Sequence, residues 1–145
     1  MDLTARAILP CTPERAYREI ASLDGYPGWL GLVAAVGPSP SEIGDAGPAW
    51  LVDIGARLGP LRKAKRVRMV RVHAQQATAV RFERREADGR DHSAWVLAAS
   101  LQPAPEGCLL EMALHYGGSA WLPLLDAVLA AEVRRAGGRL ARRVA

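Results

Sequence analysis

The sequence predicts an α+β fold, with a curved antiparallel sheet of about seven strands, two short helices near the N-terminus and one long C-terminal helix that the sheet wraps. Three observations predict it. A short capped helix leads into the phrase Tyr26-Pro27-Gly28-Trp29. About ninety residues of apolar–polar alternation follow, and an amphipathic segment closes the chain. That order leaves a concave space between sheet and helix, the kind of place where ligand sites form.

Composition bounds the reading to a single domain, residues 1–145. Hydrophobic residues make up 50% and charged residues 23%, the balance of a soluble globular protein. No apolar run nears the roughly 18 residues of a membrane span. The start, Met1-Asp2-Leu3-Thr4-Ala5-Arg6, lacks the basic-then-apolar form of a secretion signal, so a cytoplasmic location is expected. Cys11 and Cys108 are too few for a disulfide framework and read as free thiols. The net charge of +4 is carried almost wholly by arginine, since Lys63 and Lys65 are the only lysines.

Leu3 to Leu9 reads as the first strand. Thr12 is placed to cap a helix with Pro13 at its first position, and Ala16, Tyr17, Ile20 and Leu23 give that helix an apolar stripe. A second helical turn starts near Asp24 and carries the Tyr-Pro-Gly-Trp phrase. Leu32 to Val36 is the next strand, and Gly37 to Gly47 a polar, Pro/Gly-rich connection.

Turn positions then set the registers of the later strands. A Gly59-Pro60 turn puts Trp50 opposite Met69 and Val52 opposite Val67. Asp88-Gly89, read as a two-residue hairpin, puts Phe82 opposite Trp95, Val80 opposite Leu97 and Arg84 opposite Ser93. A loop at Ala104 to Gly107 sets Trp95 against Tyr116, Leu97 against Leu114 and Leu101 against Leu110. A four-residue loop around Gln75 and Gln76 sets Met69 against Phe82, Lys65 against Glu86 and, on the other face, Arg68 against Glu83. A tighter turn there would put Arg66 beside Arg84, a repulsive pair.

These registers predict a row on one face made of Trp50, Met69, Phe82, Trp95 and Tyr116. Beside it lies a second row, Arg71, Val80, Leu97 and Leu114; on the other side lie Val52, Val67, Arg84 and Ser93. The opposite face, with Arg68, Arg81, Glu83, Arg85, His92 and Glu111, is expected to be solvated. A sheet with one apolar face needs a cover. The C-terminal stripe of Leu122, Leu125, Leu129, Val133, Ala136 and Leu140 supplies it. Gly137 and Gly138 each cost that helix about 1 kcal/mol relative to Ala, so close packing or an intended break should accompany them.

The blocks Thr12-Pro13-Glu14-Arg15-Ala16-Tyr17 and Leu23-Asp24-Gly25-Tyr26-Pro27-Gly28-Trp29, the strand pattern and the last helix resemble the SRPBCC superfamily. This is the helix-grip fold of START domains, birch-pollen-allergen-like proteins and bacterial polyketide cyclases/dehydrases. Arg81-Phe82-Glu83-Arg84 and Asp88-Gly89-Arg90-Asp91-His92-Ser93-Ala94-Trp95 resemble a bacterial branch of it. The resemblance implies a cavity holding an apolar or aromatic ligand, polyketide- or lipid-like, with Trp29 in the matching pocket-lining phrase. In aromatase/cyclase relatives, arginine, tyrosine and tryptophan side chains position carbonyl groups.

The expected ligand-binding residues are therefore Trp29, Trp50, Met69, Arg71, Phe82, Arg84, Trp95, Leu97, Met112, Leu114, Tyr116, Leu125 and Leu129. Arg71, Arg84 and Tyr116 are the catalytic candidates should a cyclase or dehydrase reaction occur. A buried arginine is costly unless paired, so each either binds a ligand oxygen or pairs at the rim. His73 at a turn, His92 against Arg85 and His115 against Val96 form no metal site, and no cofactor is expected. Ser93 and Cys108 lack a neighbouring base. The basic run Arg62, Lys63, Lys65, Arg66, Arg68 is split between two faces without exposed aromatics, so no nucleic-acid partner is expected. Neither is membrane contact, since the helix's apolar stripe is needed by the sheet. A homodimer and a lipid or quinone carrier are left open.

Overall fold

The computed structural model describes the backbone of residues 1–58, 60–117 and 125–145, and their side chains except those of 56–58, 61–63, 125 and 126. The elements run β1 (Asp2–Leu9), α1 (Pro13–Ile20), a 3-10 segment (Leu23–Gly28), β2 (Val33–Pro38), β3 (Ala49–Leu58), β4 (Leu61–Gln75), β5 (Ala79–Arg84), β6 (Trp95–Ala104), β7 (Gly107–Tyr116) and α2 (Leu125–Val144). The strands form one curled antiparallel sheet of seven, in the order β1-β7-β6-β5-β4-β3-β2.

Local chemistry sets the helices. The Thr12 hydroxyl accepts from the Arg15 amide at 3.2 Å, and Pro13 follows at the first helical position. Ala16, Tyr17 and Ile20 face the core. Ser22 caps the 3-10 segment, whose Tyr26 is buried and donates its hydroxyl to the Ile20 carbonyl at 2.8 Å. This ties the segment to the end of α1. Helix α2 buries Leu129, Val133, Ala136 and Leu140 and packs against β1 and, at the far side of the sheet, β3. Arg143 pairs with Glu19 of α1 at 2.9 Å. A Cβ on Gly137 would stand 2.6 Å from the Ala7 Cβ, so close packing on β1 accompanies that glycine. Leu122 of the expected stripe lies outside the described residues, as does the Leu125 side chain.

Two expected registers are present. Trp50 pairs with Met69 and Val52 with Val67; Trp95 pairs with Tyr116, Leu97 with Leu114 and Leu101 with Leu110. His115 lies opposite Val96, as expected.

Two others are corrected. Strand β4 carries an extra residue between Arg71 and His73, so Arg71 lies opposite Phe82, Met69 opposite Arg84 and Val70 opposite Glu83. Asp88-Gly89 does not join the strands tightly. Residues 85–94 form a longer connection, and Phe82 pairs with Leu97 and Val80 with Ala99. The rows predicted from Trp50 to Tyr116 and from Arg71 to Leu114 are therefore broken at β5. Lys65 has no strand partner in Glu86, nor Arg68 in Glu83. His73 lies within β4 opposite Arg81, not at a turn, and His92 lies in the 85–94 connection, not opposite Arg85.

Candidate functional site

The shifts at β5 move partners by an even number of residues, or absorb the odd one at the bulge, so each side chain keeps its face. Met69, Phe82, Trp95, Leu97, Met112, Leu114 and Tyr116 are all buried in one core cluster with Trp29, Trp50 and Leu129. The aromatics fall into two groups. Phe82 meets Trp50 edge-on at 5.6 Å and Tyr26 at 5.9 Å, with the Trp29 ring tilted against Tyr26 at 4.4 Å. Trp95 and Tyr116 form a separate pair at 4.7 Å. Burial pushes the Tyr26 phenol far above the ordinary tyrosine range, so it stays a neutral donor.

Polar satisfaction separates three of the four tryptophans, Trp29, Trp50 and Trp95. Trp50 donates its Nε1 hydrogen to Asp24 at 3.1 Å. The Nε1 groups of Trp29 and Trp95 are buried with no acceptor. An indole nitrogen can only donate, so among the described residues neither of these hydrogens is taken up.

The two arginine candidates lie apart. Arg71 donates to the Ala21 carbonyl at 2.7 Å, where it meets the negative end of α1. Arg84, with its side chain 6% exposed, donates to Glu86 at 3.0 Å and to the Ser93 carbonyl at 3.2 Å, and faces His92 Nδ1 at 3.3 Å. His92 in turn meets Asp88 at 2.8 Å through Nε2. Arg84, His92, Ser93 and Trp95 line an open cavity of about 280 Å³ at the 85–94 connection, together with the acidic residues Glu83, Glu86 and Asp91.

Two residues were missed in the sequence. Lys65 pairs with Ile54 in the ladder and so shares the concave face with Val67 and Met69. Burial and then the charge of Arg84 pull its ammonium below the usual lysine range, with Glu86 opposing. Its strand parity was a usable signal, hidden by the expected pairing with Glu86. The second is Arg68, expected on a solvated face but only 5% exposed. Segment 39–45 folds over it, and Ser39, Pro40, Asp45 and the Arg85 carbonyl take its donors. A groove of about 580 Å³ lies beside it on the convex face.

Among the described residues, no group of three or more His, Cys, Asp or Glu could hold a metal, and no helix is long and apolar enough to cross a membrane. Burial pushes the Cys108 thiol up to about 11, with Cys11 adding to the rise, so it is held as a protonated thiol at neutral pH.

No protein-family model matches the chain, and no curated protein matches it in sequence. Solved structures match it over almost its whole length. TTHA0849 from Thermus thermophilus is similar at 18% identity and a TM-score of 0.72, covering 99% of this chain and 97% of that one. The ginseng major latex-like protein 151 from Panax ginseng is similar at 12% identity and a TM-score of 0.68, covering 100% and 97%. The di-domain ARO/CYC StfQ from the steffimycin biosynthetic pathway is similar at 18% identity and a TM-score of 0.67, covering 99% of this chain and 50% of that one. A curled seven-stranded sheet closed by one long C-terminal helix, shared with these structures, is a helix-grip fold.

Proposed function

We propose that the protein binds a small hydrophobic or aromatic molecule bearing oxygen acceptors, polyketide- or lipid-like, between the concave face and α2. The observation that carries this is the pair of buried indole N–H groups on Trp29 and Trp95 with no acceptor among the described residues. A buried donor left unpaired costs about 1–3 kcal/mol, which a ligand oxygen would remove. Their aromatic neighbours supply the apolar walls. The fold shared with an ARO/CYC protein and a major latex-like protein agrees with a ligand-holding role.

A cyclase or dehydrase reaction is the second reading, favoured by Tyr116 standing beside Trp95 on the concave side. Arg71 and Arg84 already serve Ala21, Glu86 and Ser93, which favours binding over carbonyl activation. The test is release of bound small molecules from the purified protein by denaturation, read by mass spectrometry, beside a Leu97→Trp variant that fills the concave face. One uniform compound near stoichiometric amount, absent from the variant, supports the reading. The same compounds released from both proteins overturn it.

A further inference from the structure

The two cysteines stand far apart in the chain and come together where β1 ends and β7 begins. Leu9 and Cys108 are the last pair of the β1–β7 ladder, and the chain then bends at Pro10 and Cys11 over the β6–β7 turn. Gly107 makes room for it. A Cβ there would stand 2.3 Å from the Leu9 carbonyl oxygen and 2.7 Å from both the nitrogen and the oxygen of Cys11, and its φ of +145° favours glycine. The Cys11 backbone therefore lies directly on the residue before Cys108. The Cys11 side chain packs, partly buried, against the core cluster that holds Cys108. The two thiols are neighbours, and Cys11 adds to the rise that burial imposes on Cys108.

The pair is asymmetric. Cys108 is 0% exposed, whereas Cys11 is half-buried at the surface. A water-borne oxidant thus meets Cys11 first, and Cys108 stands behind it as a protonated thiol. Their place in the fold gives a bond between them a consequence. Helix α1 starts just after Cys11 and lies against β6 and β7. Its other end receives Arg71 and the Tyr26 hydroxyl, so α1 carries the 3-10 segment with it.

We propose that Cys11 and Cys108 form a redox pair that a hydroperoxide closes into an intrachain disulfide, stapling the start of α1 to the β6–β7 hairpin. The Cys11 sulfur attacks the peroxide, the O–O bond breaks, and Cys11 becomes a sulfenic acid as water leaves. The Cys108 sulfur then attacks that sulfur. Its proton departs with the sulfenic hydroxyl as a second water, and the S–S bond forms. Two thiols are oxidised, one peroxide is reduced, and a dithiol returns the pair to thiols by exchange. Cysteines outside a disulfide framework suit this reversible use. Closing a loop of about 100 residues restricts the unfolded chain and so favours the fold.

The test treats the reduced, folded protein with one equivalent of hydrogen peroxide and reads it by intact mass and by peptide mapping without reductant. The expected product is a single chain lighter by two hydrogens, with the Cys11 and Cys108 peptides joined. Dithiothreitol should restore the starting mass. The thermal midpoint of the oxidised form should stand about 10 °C above that of the reduced protein. Cys11→Ser should leave Cys108 unoxidised, because burial shields it. Cys108→Ala should stop Cys11 at the sulfenic acid, where dimedone traps it. Where a variant fails to fold, the joined peptides of the unaltered protein decide. Oxygen added to Cys11 with Cys108 still free, a disulfide between two chains, or an unchanged mass each overturns the pair. A disulfide that lowers the midpoint overturns it as well, since the fold would have to distort to close it.

Discussion

Arg68 Nη2 donates to Asp45 Oδ2 at 2.6 Å on the convex face of the sheet, and the two side chains are only 6% and 10% exposed. Nη1 meets the other carboxylate oxygen at 3.1 Å, so the pair is two-pronged. The remaining donors go to Ser39, Pro40 and Arg85. One arginine thus fastens the β2–β3 connection to the back of the sheet.

The same pair makes stability depend on acid. Arg68 and the Glu42 amide hold the Asp45 carboxyl at about 2, against an ordinary 3.8. A carboxyl depressed in the folded state adds stability above its unfolded pKa and loses it as pH falls through the folded one. Asp45→Asn should therefore unfold at lower urea than the unaltered protein at pH 7. The gap should narrow from about pH 4 and close near pH 2. Urea titrations of both proteins across that range check it, and a gap that does not change with pH excludes the clamp as its source.

Arg68 also shows where the sequence stops being legible. Alternation along β4 correctly assigned it to the convex face, but burial there came from a Pro/Gly-rich connection whose path no periodicity encodes. Two registers were legible because short turns set them, as with Trp50 against Met69 and Trp95 against Tyr116. The β4–β5 register was not, because one bulged residue near Val72 leaves no compositional mark. Asp88-Gly89 misled because His92 and Arg84 bind across a wider connection, displacing the strands by two residues. The concave residues survived those errors because an even shift preserves faces. The unpartnered donors of Trp29 and Trp95 depend on three-dimensional neighbours and had no sequence signal at all.

Gly137 and Gly138 sit side by side in α2 and should respond in opposite ways to alanine. A Cβ at 137 would press on Ala7 at 2.6 Å, whereas at 138 the nearest atom is the flexible Arg142 guanidinium at 3.9 Å. Gly138→Ala should stabilise by about 0.8–1.0 kcal/mol through helix propensity. Gly137→Ala gains the same term but overpacks the β1 contact, for a net loss of about 1 kcal/mol or more. Chemical denaturation of the two variants reads the difference. Equal stabilisation of both would mean that α2 can lift away from β1 at no cost.

Arg71 distinguishes a structural arginine from a ligand-facing one. Its 2.7 Å bond to the Ala21 carbonyl satisfies the end of α1, where a cation is favourable. Arg71→Met should cost about 1.5 kcal/mol of stability, the range for a charge-assisted bond to a carbonyl, while leaving the affinity for the anionic naphthalene probe 8-anilinonaphthalene-1-sulfonate nearly unchanged. Denaturant midpoints and fluorescence titrations on one preparation check both halves. Full stability with lost binding would reassign Arg71 to the ligand.

Trp50 and Trp95 differ in one respect that mutation can read, because only the Trp50 indole hydrogen has an acceptor, Asp24 at 3.1 Å. Replacing either by Phe removes similar apolar area, so that loss largely cancels in the comparison. Trp50→Phe also deletes a hydrogen bond, whereas Trp95→Phe deletes a buried donor that had none. The unliganded Trp95→Phe protein should therefore be the more stable of the two by about 1–2 kcal/mol. If the proposed ligand takes up the Trp95 hydrogen, ligand affinity should follow the reverse order, because Trp50 has spent its own on Asp24. Thermal unfolding without ligand and titration with the anionic naphthalene probe make the two measurements. If Trp95→Phe is the less stable protein and binds as well as the original, the Trp95 hydrogen has a partner inside the fold and not in a ligand.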